Sequence, residues 1–111
     1  MKQKRPLLII GLVWPEPQSS AAGWRMQQLV DFFLHENYQI TFASAAAQSP
    51  FSLDLAKMGV QTEAILLNDE SFDGFVQQLN PEVVLFDRFM IEEQFGWRVA
   101  EHCPNALRIL D

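Results

Sequence analysis

Apolar and polar residues alternate in blocks along the chain, and these blocks predict strands and helices in turn. Leu7–Val13 and Val83–Phe86 are continuous apolar runs, which is the pattern of strands covered on both faces of a parallel sheet. Between them, Ala21–Glu36 repeats its apolar residues at three- and four-residue steps, which predicts a helix with one buried stripe. Ser19 and Ser20, directly before this helix, are candidate N-caps.

The remaining blocks continue the alternation of strand and helix. Further strands are predicted at Tyr38–Ser44, Val60–Leu67 and Ala106–Leu110, and further helices at Ser52–Met58, from Phe72 to Leu79 and from Ile91 to Cys103. Tyr38–Ser44 alternates apolar with polar residues, so we expect this strand nearer an edge of the sheet. Strict alternation implies parallel strands joined by right-handed crossovers. We therefore predict an α/β fold, namely a Rossmann-like three-layer sandwich with a mostly parallel sheet of about five strands, formed by residues 1–111 as a single domain.

The last predicted strand runs into Asp111, and no helix follows it. A parallel sheet needs helices on both faces, so either this strand is an edge or more chain originally followed. We expect the second, an incomplete domain that forms the N-terminal part of a larger two-domain protein. An exposed sheet edge would also allow two copies to pair as a homodimer.

Charge and hydropathy narrow the classes of function. The net charge of −6 and pI of about 4.7 argue against nucleic acid as a partner, because such a chain repels phosphate backbones. The basic start followed by Leu7–Val13 has the outline of a signal peptide, but the run is short and ends at Trp14-Pro15, so a buried first strand explains it better. No apolar stretch approaches the ~20 residues of a transmembrane segment.

Cysteine and histidine usage predicts neither a metal site nor a disulfide. Cys103 is the single cysteine, and we expect it to be a buried apolar residue rather than a nucleophile in a cytoplasmic protein. His35 and His102 lie far apart without metal-ligand spacing, so we expect no metal and no cofactor. Trp24 and Trp97 lie on predicted helices and are expected to be packing residues rather than recognition residues.

Ligands of open α/β sheets bind beyond the carboxyl ends of the strands. Four segments are predicted to lie there: Trp14–Gly23, Ala45–Ser49, Asn68–Glu70 and Asp87–Glu93. The first has small and hydroxyl residues where a helix begins, which suits phosphate or sugar hydroxyls, although an ordinary capped helix start has the same pattern. A Gly-x-Gly-x-x-Gly fingerprint is missing, so the sequence does not support a dinucleotide site.

The segment after the fourth predicted strand contains the other chemically informative residues. Asp87 directly follows a buried strand and is well placed to meet a ligand, while Arg88 is suited to pair with a carboxylate or an anion. The alternative is that Asp87 caps the next helix and that Glu92 and Glu93 lie on a solvated face.

Several stretches together resemble a known family. Gly23-Trp24-Arg25 opens the first helix, His35–Thr41 leads into the second strand, Gly59-Val60-Gln61 precedes the third, and Asn80–Val84 leads into the fourth. In this order they resemble the N-terminal domain of GT-B fold glycosyltransferases of the group 1, family 4-like kind. The Pro-acidic-Val-Val step of Asn80–Val84 is the most specific part of the resemblance.

The resemblance implies two Rossmann-like domains that face a cleft, with the N-terminal one holding mainly the acceptor. The full-length parent would be a hexosyltransferase that moves a sugar from a nucleotide-sugar donor to a sugar or glycan acceptor, and this piece alone would be inactive. Carried over by loop position, the substrate-binding residues would be Ser19, Ser20, Gly23, Asp87 and Arg88. The catalytic residues stay unassigned, because the family's Glu-x(7)-Glu donor motif belongs to the C-terminal domain.

Two other classes share this alternation of elements. A non-catalytic flavodoxin-like interaction domain would have the same size. A phosphorylation receiver would require an acidic pair after the first strand and a lysine after the fifth, whereas this chain has Trp14-Pro15 and Asp111 there.

Overall fold

Five parallel strands and three α-helices alternate along the computed structural model, which describes residues 4–111. The strands are β1 (Arg5–Gly11), β2 (Tyr38–Ser44), β3 (Gln61–Ala64), β4 (Val83–Phe86) and β5 (Leu107–Leu110), and the helices are α1 (Ala21–His35), α2 (Ser71–Leu79) and α3 (Phe89–His102). A single 3₁₀ turn at Ala56–Met58 lies between β2 and β3. The predicted α/β, Rossmann-like sandwich is confirmed.

The order of the strands locates the point where ligands bind in such sheets. The sheet has the order β3-β2-β1-β4-β5, with every neighbouring pair parallel. The chain therefore moves outward from β1 to β3, crosses back over the sheet, and moves outward again through β4 and β5. This is the order of Rossmann folds and differs from the 2-1-3-4-5 order of flavodoxin. The direction of winding reverses between β1 and β4, which makes the gap between their carboxyl ends the topological switch point.

Both faces of the central strands are buried, and this explains their continuous apolar runs. Successive side chains of a strand point to opposite faces of the sheet. On one face, Leu7 and Ile9 pack with Met26 and Val30 of α1. On the other face, α2 and α3 cover the sheet, and the buried residues there are Leu8, Ile10, Val84, Phe86, Phe72, Phe95 and Val99.

Three predicted elements differ from the structure. The helix predicted at Ser52–Met58 is only the single 3₁₀ turn, which ends at Gly59 with a φ of 86°. The third strand was predicted over Val60–Leu67, but β3 has four residues, all of them exposed. The third difference concerns β2, which lies between β1 and β3 rather than at an edge. Its Thr41 is only 4% exposed, because the neighbouring β3 covers it.

Within residues 4–111, the outermost strand β5 pairs with β4 alone and forms one edge of the sheet. Its Leu107 and Leu110 are 60% and 51% exposed. That further chain originally followed Asp111 stays a prediction. Among residues 4–111, no helix is both long enough and apolar enough to cross a membrane.

Candidate functional site

A cleft lies at the carboxyl edge of the sheet, at the switch point between β1 and β4. It encloses about 340 Å³ and is bounded by the loop from β1 to α1, the first turns of α1, and the start of the loop after β4. The lining residues are Val13, Trp14, Pro15, Glu16, Ser19, Ser20, Ala22, Gly23, Met26, Asp87 and Arg88. All five residues that the sequence suggested for substrate binding are therefore brought together, although their role stays a prediction.

The β1–α1 loop is held by hydrogen bonds that also cap the helix. The amides of Ser19 and Ser20 donate to the Glu16 carbonyl oxygen at 2.9 and 3.1 Å. The Ser20 hydroxyl accepts a hydrogen bond from the Gly23 amide at 3.0 Å, so Ser20 is the N-cap of α1 and Ser19 is not. The sequence could not choose between these two serines, because either spacing suits a cap.

Gly23 allows α1 to begin directly against the β1–α1 loop. A Cβ atom at this position would lie 2.6 Å from the carbonyl carbon of Glu16 and 2.7 Å from its nitrogen and oxygen. Only a residue without a side chain fits there. The helix N-terminus is thereby kept beside the cleft, where the amides of Ala21 and Ala22 make no hydrogen bond to the described residues. Such first-turn amides suit an anion or a sugar hydroxyl.

Asp87 is a mostly buried carboxylate in the cleft wall, with a side chain only 17% exposed. Burial raises its pKa, against the opposing effects of the Arg88 guanidinium and of a hydrogen bond from the Leu12 amide. The interpretation of Asp87 as the cap of α3 is wrong, because the N-cap position is Arg88 and no side chain caps this helix. The carboxylate of Asp87 is therefore available to a ligand rather than committed to a helix end.

Asp87→Asn is expected to stabilise the fold at neutral pH. A raised pKa in the folded state means that the folded chain binds a proton more readily than the unfolded chain. The contribution of Asp87 to the free energy of unfolding is therefore fully present at low pH and is lost as the pH rises through the raised pKa. The gain of the variant should be absent below the ordinary aspartate pKa of 3.8 and complete above the folded value. Urea unfolding of the wild type and the variant from about pH 3.5 to about pH 7 measures this gain in the free energy of unfolding. A gain that is equally large at low pH would contradict the burial of Asp87.

Arg88 holds its position with a strained backbone. Its φ of 77° and ψ of 155° lie outside the regions that L-residues favour. The amide of Arg88 donates to the Asp111 carbonyl oxygen at 3.0 Å, and its Nε lies 3.9 Å from Oδ1 of Asp87. The guanidinium is about half exposed, so it is free to turn toward a ligand.

Two variants at Arg88 separate its backbone strain from its charge. Arg88→Ala and Arg88→Gly both remove the guanidinium, but only glycine relieves the positive φ. We expect Arg88→Gly to be more stable than Arg88→Ala by about 1–2 kcal/mol in urea unfolding. If the two variants are equally stable, the backbone at this position is not strained.

A second, smaller pocket adjoins the cleft and supplies charged groups that the sequence did not single out. It encloses about 240 Å³ and shares Ala22, Met26, Asp87 and Arg88 with the cleft. Its additional members are Arg25 and Asp111, which form an ion pair across the gap between α1 and the end of β5. Four charged side chains, those of Asp87, Arg88, Arg25 and Asp111, thus border the smaller pocket, and Glu16 is a fifth charged residue that lines the cleft alone.

The tryptophan that matters for the cleft is Trp14 and not Trp24 or Trp97. Trp14 is 4% exposed, its ring lies 5.5 Å from that of Phe42, and its Nε1 donates to the Ala46 carbonyl oxygen at 2.7 Å. Trp24 and Trp97 are 56% and 54% exposed, so neither belongs to the buried core, and their role as packing rather than recognition residues stays a prediction. The sequence signal for Trp14 was its place directly after an apolar strand.

The other two carboxyl-edge segments do not line the cleft. Ser49 belongs to a separate pocket, although its hydroxyl donates to Oε2 of Glu16 at 2.8 Å and so braces the β1–α1 loop. The Asn68–Glu70 segment lies before α2, and Asp69 there accepts a hydrogen bond from the Ser71 amide. Strand order explains the difference, since only the loops after β1 and β4 meet at the switch point.

Cysteine and histidine side chains lie away from the cleft. Cys103 is buried, its Sγ contacts the Val76 carbonyl oxygen at 3.4 Å, and burial raises the pKa of its thiol, which confirms a packing role. His102 lies between Gln77 and Asp73 on the α2–α3 face. In the described part of the chain, no three His, Cys, Asp or Glu side chains gather in a way that would hold a metal ion.

No protein-family model matches this chain, and no curated protein matches its sequence.

Proposed function

We propose that this chain is the acceptor-side, N-terminal domain of a cytoplasmic glycosyltransferase of the GT-B kind. The full-length parent would move a sugar from a nucleotide-sugar donor to a sugar or glycan acceptor. One observation carries the proposal: the Ser19–Gly23 and Asp87–Arg88 loops, which the resemblance assigns to substrate binding, line a single cleft at the switch point. Ligands of open α/β sheets bind at such a place.

The groups in the cleft suit a hydroxylated ligand. Asp87 can accept hydrogen bonds from sugar hydroxyls, and Arg88 and the α1 amides can donate them. A carboxylate that is kept from water interacts more strongly with the hydroxyls that it does reach. In the proposed enzyme, this wall would hold and orient the acceptor, while the second domain would bind most of the donor.

A titration of the 111-residue chain with neutral glycosides tests the acceptor half of the proposal. In ¹⁵N-edited NMR spectra, the amide signals of Ser19–Gly23, Asp87 and Arg88 should shift as the glycoside is added. All of these shifts should fit a single dissociation constant. Asp87→Ala should weaken the binding, whereas Asp54→Ala, at an exposed loop position outside the cleft, should leave it unchanged. Shifts confined to other parts of the chain would contradict the site.

The donor half of the proposal has to be tested on the full-length parent. Calorimetric titration with nucleoside diphosphates should show binding, because the leaving diphosphate has to be stabilised in the closed cleft. A full-length parent that binds none of them at any reachable concentration would refute the glycosyltransferase proposal.

A second candidate is a non-catalytic interaction domain that pairs through its sheet edge. The observation in its favour is β5, whose outer edge pairs with no other strand in the described part of the chain and whose two leucines, Leu107 and Leu110, are more than half exposed. Light scattering of the purified chain should then show a homodimer that Leu107→Lys converts to a monomer. A wild-type chain that is monomeric at high concentration would exclude edge pairing.

A further inference from the structure

We infer that Glu16 is a specificity-determining residue of the cleft, that Ser49 holds it in place, and that it makes the cleft select an uncharged sugar acceptor over an anionic one. The inference rests on the proposed function and adds a residue and a class of acceptor to it. It follows from the pairing of charges in the two pockets and from the hydrogen bonds that fix Glu16.

The charges around the site do not cancel. The cleft is lined by Glu16, Asp87 and Arg88, and the smaller pocket adds Arg25 and Asp111, so three carboxylates face two guanidiniums. Arg25 pairs with Asp111, and Nε of Arg88 lies 3.9 Å from Oδ1 of Asp87. The carboxylate of Glu16 is left over, because it forms no ion pair within the described part of the chain. The start of α1 adds a partial positive charge of only about half a unit, so the site keeps an excess of negative charge.

Glu16 is held by its backbone as well as by its side chain. The amides of Ser19 and Ser20 donate to its carbonyl oxygen, and Gly23 approaches its backbone closely. Its Oε2 accepts a hydrogen bond from the Ser49 hydroxyl at 2.8 Å, and its Oε1 accepts none from residues 4–111. Ordering a rotamer-rich side chain such as glutamate costs conformational entropy. Binding residues are nevertheless commonly fixed in this way by hydrogen bonds from outside the site.

Ser49 is itself fixed within the loop after β2. Its hydroxyl oxygen accepts a hydrogen bond from the Phe51 amide at 3.1 Å, and its own amide donates to the Ser52 hydroxyl at 3.0 Å. The hydroxyl proton of Ser49 is directed at Glu16. Because Ser49 lines the separate pocket and not the cleft, it acts on a ligand only through Glu16 and is a positioning residue.

The hydrogen bond from Ser49 does not by itself require a charge on its acceptor. A glutamine in place of Glu16 would accept the same bond and would brace the β1–α1 loop equally well. What glutamate adds is a negative charge that no neighbouring cation balances. Two like charges about 4 Å apart weaken binding by about fivefold even in water, and by more where water is excluded. An anionic ligand is therefore repelled, whereas a hydroxyl of a neutral sugar can donate to the free oxygen of Glu16.

A pair of ligands that differ in one charge tests the inference by NMR titration of the chain. Methyl β-glucoside and methyl β-glucuronide have the same ring and differ at C6, where the glucuronide carries a carboxylate. The wild type should bind the glucuronide at least about fivefold more weakly than the glucoside. Glu16→Gln keeps an acceptor for Ser49 and removes the charge, so the ratio of the two dissociation constants should fall toward one. Mere loss of structure would weaken the binding of both ligands and would not bring the two constants together.

Variants of Ser49 test whether this residue acts through Glu16. Ser49→Ala frees the carboxylate to move away from the cleft, so the ratio of dissociation constants should fall part of the way toward one. Ser49→Thr keeps a hydroxyl and should restore the wild-type ratio. When Glu16→Gln is already present, Ser49→Ala should change the ratio no further. A further fall in the double variant would contradict the role of Ser49 as a positioning residue.

Glu101→Gln is the matched control, because it changes the net charge of the chain by the same single unit. Glu101 is exposed near the end of α3 and lines neither the cleft nor the smaller pocket. It lies roughly 20 Å along the helix axis from Arg88. Exposed charges at such a distance are largely screened at physiological salt, so this variant should keep the wild-type ratio.

The outcomes separate this inference from the proposed function. If both sugars bind to the wild-type cleft with equal affinity, or if Glu16→Gln leaves their ratio unchanged, the role of Glu16 is refuted and the sugar site stands. If Glu101→Gln lowers the ratio as much as Glu16→Gln does, the net charge of the chain explains the selectivity and the inference fails. If neither sugar binds, both proposals fail together.

Discussion

Gly23→Ala is expected to lower the free energy of unfolding by about 3 kcal/mol and to displace the β1–α1 loop from the cleft. The added Cβ would lie within 2.7 Å of three backbone atoms of Glu16. Backbone cannot rotate away as the end of a flexible side chain can, so the loop or the first turn of α1 has to shift. Because Ser19 and Ser20 both donate to the Glu16 carbonyl, the shift should also disturb the cap of the helix.

Gly74→Ala is the matched control for this substitution. Gly74 lies in the middle of α2, is exposed, and has no atom within 4 Å of its ideal Cβ position. Alanine favours helix more than glycine does, so this variant should be about 1 kcal/mol more stable than the wild type. Urea unfolding followed by far-UV circular dichroism compares the two. Equal effects of both substitutions would show that α1 does not approach the loop as closely as the structure has it.

Trp14→Ala is expected to destabilise the fold by about 3–5 kcal/mol, which is the usual cost of removing a large buried aromatic side chain. Trp14 is 4% exposed, packs against Phe42, and joins the β1–α1 loop to the loop after β2 through its bond to Ala46. The substitution opens a cavity under the cleft and leaves the Ala46 carbonyl without this partner. Since the free energy of unfolding of a domain of this size is only about 5–15 kcal/mol, the substitution is expected to remove a large fraction of it.

Trp24→Ala provides the comparison, because this tryptophan is 56% exposed on the first turns of α1. Its removal should change the stability by less than about 0.5 kcal/mol. Circular dichroism is the appropriate probe for both variants, since each removes a fluorophore. If Trp24→Ala is as damaging as Trp14→Ala, the assignment of buried and exposed tryptophans in the structure is wrong.

Two neighbouring residues at the switch point have features that lower the stability of the fold. Arg88 adopts a positive φ, and Asp87 is kept from water with a raised pKa. Neither feature helps the fold: Asp87→Asn is expected to stabilise it at neutral pH, and glycine is expected to be tolerated better than alanine at position 88. Such trade-offs are typical of binding and catalytic sites, where function opposes local stability. The strained backbone of Arg88 and the buried carboxylate of Asp87 favour a functional role for the cleft independently of any resemblance to another protein.

The sequence by itself determined the class of fold and the chemistry available at the carboxyl edge. The continuous apolar runs of β1 and β4 and the stripe of α1 are local patterns, and local patterns are readable from one chain. The same reasoning failed where burial depends on distant neighbours. The strand that contains Thr41 was expected nearer an edge of the sheet, but β3 lies beside it and Thr41 is buried. Of the tryptophans, Trp14 is buried in the core and Trp24 is exposed.

Only the tertiary structure decided which of the carboxyl-edge loops share a site. Hydrophobic periodicity is the same for every order of parallel strands, so it cannot place β4 beside β1. That placement brings Asp87 against the start of α1, and it brings Arg25 to Asp111 across 86 residues of chain. The cleft exists because packing of the whole sheet selects one strand order, and that selection is a sum over long-range contacts that no local stretch of sequence contains.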